Sequence, residues 1–244
     1  MTSANRLCFG DSWAIYRGKA PDQHAHAHAA IQIAFADSGT LEIRSAGYGV
    51  HRGSGFAIRP LVEHHLSASG PVTLLYIEPQ SPLAFLVADA VGEGDIAAID
   101  AAMLRHVPGQ ELTRWNDELA ELARRGARAV DPRLGDALSF LSAKPGRRSI
   151  AEAASHCGLS ESHLRLLARC QLDLPLSTWL IWRKLERAAR ALHDGEGLAA
   201  AAAAGGFADQ AHLARAMRRM FGITPGSARR IAIERRADGP GLNV

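Results

Sequence analysis

A motif that occurs twice in the C-terminal half constrains the fold of this chain most strongly. Gly158-Leu-Ser-Glu-Ser-His-Leu164 resembles Gly206-Phe-Ala-Asp-Gln-Ala-His-Leu213, which is one residue longer. Each copy follows an alanine-rich stretch and leads into a basic one. A short helix, a turn that contains glycine and a second helix together make a helix-turn-helix. We therefore predict two helix-turn-helix units, which cover residues 150–172 and 198–221.

The segment between the two units is predicted to form one long helix. Trp179, Trp182, Leu185, Ala189 and Leu192 recur at helical spacing, so they share one face. We interpret both tryptophans as core residues of this connecting helix, which would hold the two units in a fixed relation.

The N-terminal part shows a different periodicity. Between residues 30 and 77, apolar residues alternate with polar or small ones in short runs, and turn signals such as Asp37-Ser-Gly39 separate the runs. Several short strands at close spacing indicate an antiparallel barrel or sandwich. The chain as a whole is therefore predicted to be an α+β protein of two domains.

Residues 82–129 are predicted to be helical. Ile96, Ile99 and Met103 would share one helical face, and a second leucine-rich face follows. These faces suit either packing on the strands or contact with a second copy in a homodimer. Asp131-Pro132 marks a boundary, since proline is favoured at the first position of a helix. The predicted regions are 1–80, an antiparallel barrel, 81–130, a helical linker or dimerisation region, and 131–244, the all-helical domain.

Charge is distributed unevenly along the 244 residues. The formal net charge is +3, but residues 1–130 carry 11 basic and 14 acidic side chains, and residues 131–244 carry 17 and 11. A basic C-terminal half favours a polyanionic partner. The three cysteines are odd in number and scattered, which argues against a disulfide framework. With no apolar run long enough for a membrane span, we expect a cytoplasmic protein that does not contact the membrane.

Residues 131–230 resemble the DNA-binding domain of the AraC/XylS family of bacterial transcription regulators. The residues that carry the resemblance are Ala153-Ala154, Gly158-Leu-Ser160, Leu185, Ala188, Leu192, Gly206-Phe207, Arg215, Arg218 and Phe221-Gly-Ile-Thr-Pro225. The sequence departs from the family pattern at Asp173, where glycine is normal, and at Leu166, where a recognition-helix arginine is usual. The resemblance implies a transcription regulator that binds double-stranded promoter DNA and engages RNA polymerase.

The second helix of each unit would enter the major groove, where its early residues reach base edges. The base-reading candidates are Glu161, Ser162, Arg165 and Leu166 in the first unit, and Asp209, Gln210, Ala211 and Arg215 in the second. Arg215 is the strongest of these, because a guanidinium can donate two parallel hydrogen bonds to guanine. Three arginines further along the helices are expected to contact phosphates, namely Arg169, Arg218 and Arg219.

Histidines cluster in the N-terminal part. His24, His26 and His28 alternate, so an extended segment would project all three from one face. His26-x-His28 followed by Gln32, with His64 further on, resembles the two motifs of cupin barrels, which form the sensor domain of many AraC-type regulators. Carried over, the resemblance implies a metal site of His26, His28, Gln32 and His64 for a divalent transition metal (Zn, Ni, Cu or Fe), with His24 and His65 in reserve.

Two other interpretations of the histidines stay open. They could line a pocket for a small organic effector without any metal. The barrel could also be a cupin metalloenzyme, an oxygenase or isomerase, that carries a helical regulatory appendage. A sensor is favoured over an enzyme because the barrel is fused to a DNA-binding half, so the prediction is an effector-responsive regulator.

Overall fold

The structure is a computed structural model that describes residues 5–20, 24–47, 49–92, 94–126, 129–143, 149–221, 224–228 and 231–233. Its N-terminal part is built from short strands. They are β1 Arg6–Phe9, β2 Trp13–Gly18, β3 Ile31–Ala36, β4 Leu41–Ser45, β5 Gly49–Gly53, β6 Gly55–Ile58, β7 His65–Ala68, β8 Val72–Ile77 and β9 Ile96–Ala98. A further two-residue strand, β10 Ala232–Ile233, comes from the C-terminal end.

The strands form two sheets. The larger has the order β10-β1-β2-β8-β3-β6-β9, and all its pairs are antiparallel except β1 with β10. The smaller has the order β5-β4-β7 and is antiparallel. The predicted α+β fold with N-terminal antiparallel strands is confirmed, whereas closure of these sheets into one cupin-like barrel stays a prediction.

The large sheet is covered on both faces, which explains why its central strands are apolar almost throughout. In β3, Ala34 lies in a core shared with Leu41 and Leu66 of the small sheet. Its neighbours Ile33 and Phe35 point the other way, into a core shared with helices. Successive residues of a strand face opposite sides, so β3 contributes to both cores.

Two helices cover the outer face of the large sheet, namely α1 Pro82–Val91 and α2 Leu112–Arg125. Between them the prediction of helix was wrong for Ile96, which lies in strand β9 and pairs with Ile58 of β6. A single 3-10 turn, Ala101–Leu104, follows. Three apolar residues at helical spacing are too few to outweigh pairing with the exposed edge of β6.

The C-terminal part is helical. Its helices are α3 Pro132–Ala143, α4 Ile150–His156, α5 Glu161–Leu172, α6 Leu176–His193, α7 Leu198–Ala204, α8 Gln210–Phe221 and α9 Pro225–Ala228. The predicted connecting helix is α6, and it contacts α5, α7 and α8. Strand β10, which pairs with β1, is a departure from the all-helical region predicted after residue 131. Gly222, part of the motif behind the family resemblance, lies outside the described residues.

Both repeated motifs form the predicted turn. Gly158 has φ +65° and Gly206 has φ +71°, the left-handed conformation that glycine adopts without steric cost. Ser149 caps α4 through a reciprocal pair of hydrogen bonds with Glu152, and the Ser160 hydroxyl accepts from the backbone N–H of His163 at the start of α5. The turns and caps fix where each recognition helix begins.

Candidate functional site

The residues predicted to contact DNA lie on the exposed faces of α5 and α8 or directly before α8. Leu164 and Leu213 turn inward, so the exposed face of each helix is set by packing on the opposite side. All eleven candidates are exposed: Glu161, Ser162, Arg165, Leu166, Arg169, Asp209, Gln210, Ala211, Arg215, Arg218 and Arg219. Leu166 is unusual among them, because an apolar side chain that is 60% exposed has no packing role.

Three of these candidates also have structural partners. The Arg165 guanidinium donates to the Glu161 carboxylate at 2.5 and 2.9 Å, an i,i+4 ion pair along the exposed face of α5. The Asp209 carboxylate accepts a 2.6 Å hydrogen bond from the backbone N–H of His212, so it caps the first turn of α8. Arg215 therefore stays the strongest candidate for base contact.

The imidazoles of His26, His28 and His64 lie together in the N-terminal domain. All three are buried, and one ring nitrogen from each lies within 4.8 Å of the others. The backbones of His26 and His64 form an isolated antiparallel bridge, in which each N–H donates to the other's carbonyl at 3.0 Å. This pairing holds two histidines that are 38 positions apart at a fixed separation.

A backbone carbonyl orients each ring. Nδ1 of His26 lies 3.2 Å from the carbonyl of His24, Nδ1 of His28 lies 3.0 Å from that of Ala30, and Nδ1 of His64 lies 2.9 Å from that of Val62. A carbonyl oxygen can only accept, so each Nδ1 carries the proton. In the neutral ring the lone pair is then on Nε2, which is the usual second-shell arrangement for histidine ligands of a metal.

Gln32 completes the cluster from strand β3. Its Oε1 lies 2.5 Å from Nε2 of His28 and 3.3 Å from Nε2 of His64. Burial, reinforced by the charges that His64 and His26 can carry, lowers the pKa of His28 to about 3, so this ring is neutral at physiological pH. The Gln32 oxygen and the Nε2 lone pair of His28 repel each other, unless a cation lies between them or the amide turns its NH2 group towards the ring.

The predicted metal ligands are thus brought together, whereas the two histidines held in reserve are not part of the cluster. His24 is exposed and His65 is half-buried. His65 begins β7 directly after His64, and successive side chains of an extended strand point to opposite faces.

The histidine cluster also lies close to the DNA-binding half. The ring of His28 is 6.5 Å from that of Trp182 on α6 and 5.3 Å from that of Tyr76. Tyr76 and Trp182 both contact Phe221, the last residue of α8, at 6.0 and 5.3 Å between ring centroids. One layer of aromatic rings therefore separates the histidines from the end of the second recognition helix.

A buried ion pair also joins the N-terminal domain to helix α6. The Glu78 carboxylate accepts from Arg183 at 2.5 Å and from the Trp182 indole N–H at 3.3 Å. Burial raises the pKa of Glu78 above its ordinary value despite the attraction to Arg183. Sequence reasoning missed Glu78, because a single glutamate after a strand carries no signal that a helix 105 positions later will cover it.

Comparison with known proteins supports the helix-turn-helix assignment of the C-terminal part. A family model described as a helix-turn-helix domain matches residues 133–231. No curated protein matches the sequence. Within the described residues, no helix combines the length and apolar character needed to cross a membrane.

Solved structures with a similar fold are AraC-type proteins. A regulator with an AraC-type DNA-binding domain from Chromobacterium violaceum is 27% identical over 40% of this chain and 89% of its own, with a TM-score of 0.39. An unliganded ToxT variant from Vibrio cholerae is 10% identical over 89% of this chain and 96% of its own, with a TM-score of 0.59. ToxT with a bound unsaturated fatty acid is 10% identical over 88% and 94%, with a TM-score of 0.55. The chain has the two-domain fold of ToxT, and its residues 133–231 form a helix-turn-helix domain of the AraC type, which supports DNA binding.

Proposed function

We propose that this protein is a DNA-binding transcription regulator that senses a divalent transition metal in its N-terminal domain and passes the metal state to its DNA-binding half. The observation that carries the proposal is the convergence of three buried imidazoles, each with its Nδ1 proton held by a carbonyl. Neutral imidazole nitrogens are ligands for zinc, nickel, copper and iron.

The donor set of the cluster fits such an ion. Metal–nitrogen distances near 2 Å place two ligands on one ion up to about 4 Å apart, so small rotations of rings that now lie within 4.8 Å suffice. Gln32 would supply a neutral oxygen as a fourth ligand. The ion would then lie between this oxygen and the Nε2 lone pair of His28, and the repulsion between them would be removed. Once bound, the ion supplies a positive charge that draws His26, His28 and His64 together.

The aromatic layer of Tyr76, Trp182 and Phe221 is the route by which this change reaches DNA. A shift of His28 alters its contact with Trp182, and Trp182 packs against the end of α8. A ligand shifts an equilibrium only by its different affinity for the two states. Ion binding would therefore favour the arrangement of α6 and α8 in which His28 reaches the metal.

The DNA-binding half would place α5 and α8 in successive segments of the major groove, about 34 Å apart. Arg215 would read a base, with Gln210 beside it, and Arg169, Arg218 and Arg219 would contact phosphates. Affinity for promoter DNA should fall steeply with salt. Recruitment of RNA polymerase and formation of a homodimer belong to the same proposal.

Metal content and DNA affinity test the proposal together. Elemental analysis of purified protein, followed by zinc titration with DNA binding measured by fluorescence anisotropy, should give one ion per chain and a metal-dependent affinity. His64→Ala should remove both effects. His65→Ala is the matched control, because it removes the adjacent imidazole outside the cluster. Gln32→Glu should tighten zinc binding, since it adds a negative charge at the fourth ligand.

Other outcomes would assign a different function. Selective DNA binding that is equal with and without metal would favour a small organic effector, as the fatty acid bound to ToxT suggests. Stoichiometric metal without selective DNA binding would favour the cupin metalloenzyme.

A further inference from the structure

The recognition helices α5 and α8 correspond to each other residue by residue. Both are 12 residues long. The hydroxyl of Ser160 accepts from the backbone N–H of His163, and the carboxylate of Asp209 accepts from that of His212, so both helices begin with the same kind of cap. The fourth residue of each helix is a fully buried leucine. These shared features define which residues of the two helices are equivalent.

Leu166 and Arg215 occupy equivalent positions. Each is the sixth residue of its helix, lies two positions after the buried leucine and is exposed. Arg169 and Arg218 are equivalent in the same way, since each lies five positions after that leucine. The two units therefore share an arginine that is expected to contact phosphate, but they differ at a position that is expected to read a base.

The exposed face of α5 presents an apolar group where α8 presents a guanidinium. The Arg165 guanidinium already donates two hydrogen bonds to Glu161, which reduces what it can offer to a base. Leu166 is 60% exposed, the largest exposed fraction among the large apolar side chains of the described residues. A leucine in water gains free energy when apolar surface covers it. The base that faces Leu166 should therefore carry an apolar group.

We propose that Leu166 reads a thymine through its C5-methyl group, in the segment of the major groove next to the one in which Arg215 reads a guanine. This inference rests on the proposed binding of DNA. The C5-methyl group of thymine is the apolar feature of the major-groove code, and the other features are hydrogen-bond donors and acceptors. Successive segments are one helical turn apart, so the thymine should lie about 10 base pairs from the guanine.

Removal of the methyl group alone tests the contact. The full chain, with and without zinc, first selects its site from a pool of random DNA duplexes. Each thymine of the selected duplex is then replaced by uracil, which lacks the methyl group and keeps the hydrogen-bonding groups of thymine. Fluorescence anisotropy should show a loss of affinity of about fourfold at one thymine, the effect expected for one buried methyl group. This thymine should lie about 10 base pairs from the base pair at which Arg215→Ala reduces discrimination.

Variants assign the contact to Leu166, which is exposed and can be replaced without disturbing the core. In Leu166→Ala, the same uracil substitution should no longer change affinity, because the side chain that contacts the methyl group is absent. Leu166→Arg should shift the preference at that base pair from thymine to guanine, and a second selection from the random pool measures this shift. Leu86→Ala is the control, because Leu86 is an exposed leucine of α1, outside the recognition helices.

The results distinguish a failure of this inference from a failure of the proposed function. A chain that selects no sequence from the pool would overturn both. A chain that selects a site, but responds to uracil in the same way with leucine or alanine at position 166, would overturn the inference alone. An unchanged base preference of Leu166→Arg would also contradict it, because position 166 would then face no base edge.

Discussion

The glycine that ends α7 offers a sharp test of how the second helix-turn-helix unit packs. A Cβ on Gly205 would lie 2.6 Å from the carbonyl oxygen of Lys184 on α6, about 0.8 Å inside an ordinary contact. The backbone of Gly205, at φ −74° and ψ −8°, suits alanine, which would otherwise stabilise the chain by about 0.4–1 kcal/mol. Overpacking costs about 1–3 kcal/mol, so Gly205→Ala should lower the free energy of unfolding by about 1–2 kcal/mol. Urea denaturation monitored by circular dichroism measures this change in the free energy of unfolding.

Gly158→Ala separates this steric effect from backbone strain. At φ +65°, a Cβ on Gly158 meets no atom of the described structure within 4 Å, so the cost of about 1–2 kcal/mol comes from the left-handed conformation alone. Gly158→Asn should recover part of the loss, because asparagine tolerates that conformation, whereas Gly205→Asn should not. Equal or greater stability of Gly205→Ala would refute the close approach of α7 to α6.

Three further changes test the contacts of other residues. Arg215→Ala should cost about 1–3 kcal/mol in DNA binding and reduce discrimination at one base pair, whereas Arg114→Ala, which changes an exposed arginine of α2, should leave anisotropy titrations unchanged. Trp182→Phe removes a hydrogen bond to Glu78 and should cost about 1–2 kcal/mol in urea denaturation; an unchanged response of DNA affinity to zinc would exclude it from signalling. Burial, and secondarily the charge of Arg17, lowers the pKa of His106 to about 4. As pH falls below about 6.5, His106 therefore takes up a proton in the unfolded chain before it does so in the folded chain, and this destabilises the fold. His106→Phe should abolish this effect, so the variant should lose about 2–3 kcal/mol less stability than the original chain between pH 7 and 4.5. A parallel pH profile of the variant would contradict this.

The features that the sequence predicts well have local causes. The turns at Gly158 and Gly206 follow from a conformation that glycine adopts at no steric cost, and this holds regardless of how the following helix packs. The convergence of His26 and His28 likewise follows from alternation over three residues. His64 could be added only through a family resemblance, because its approach to His26 depends on a backbone bridge between distant segments.

The features that the sequence does not predict depend on partners far along the chain. Strand β9 forms because Ile96 pairs with β6, and three residues are too short to show a period of two. Asp209 illustrates a different limit, since a short acidic side chain at a helix start is equally suited to capping and to contact with a base. The spacing of Trp179 and Trp182 showed that one face of α6 is buried, but not that Gln80 and Glu78 of the other domain cover it.

The junction at Glu78 has the energetics that a switch requires. A tenfold change in DNA affinity needs a coupling free energy of about 1.4 kcal/mol, which is comparable to one hydrogen bond to a charged group. Burial of Glu78 raises its pKa, so the cost of removing the carboxylate from water offsets much of its attraction to Arg183. The ion pair therefore fixes where α6 docks on the N-terminal domain more than it adds to the strength of that docking. In the proposed switch, a change at His28, which is one aromatic ring away, would reach this contact through Trp182.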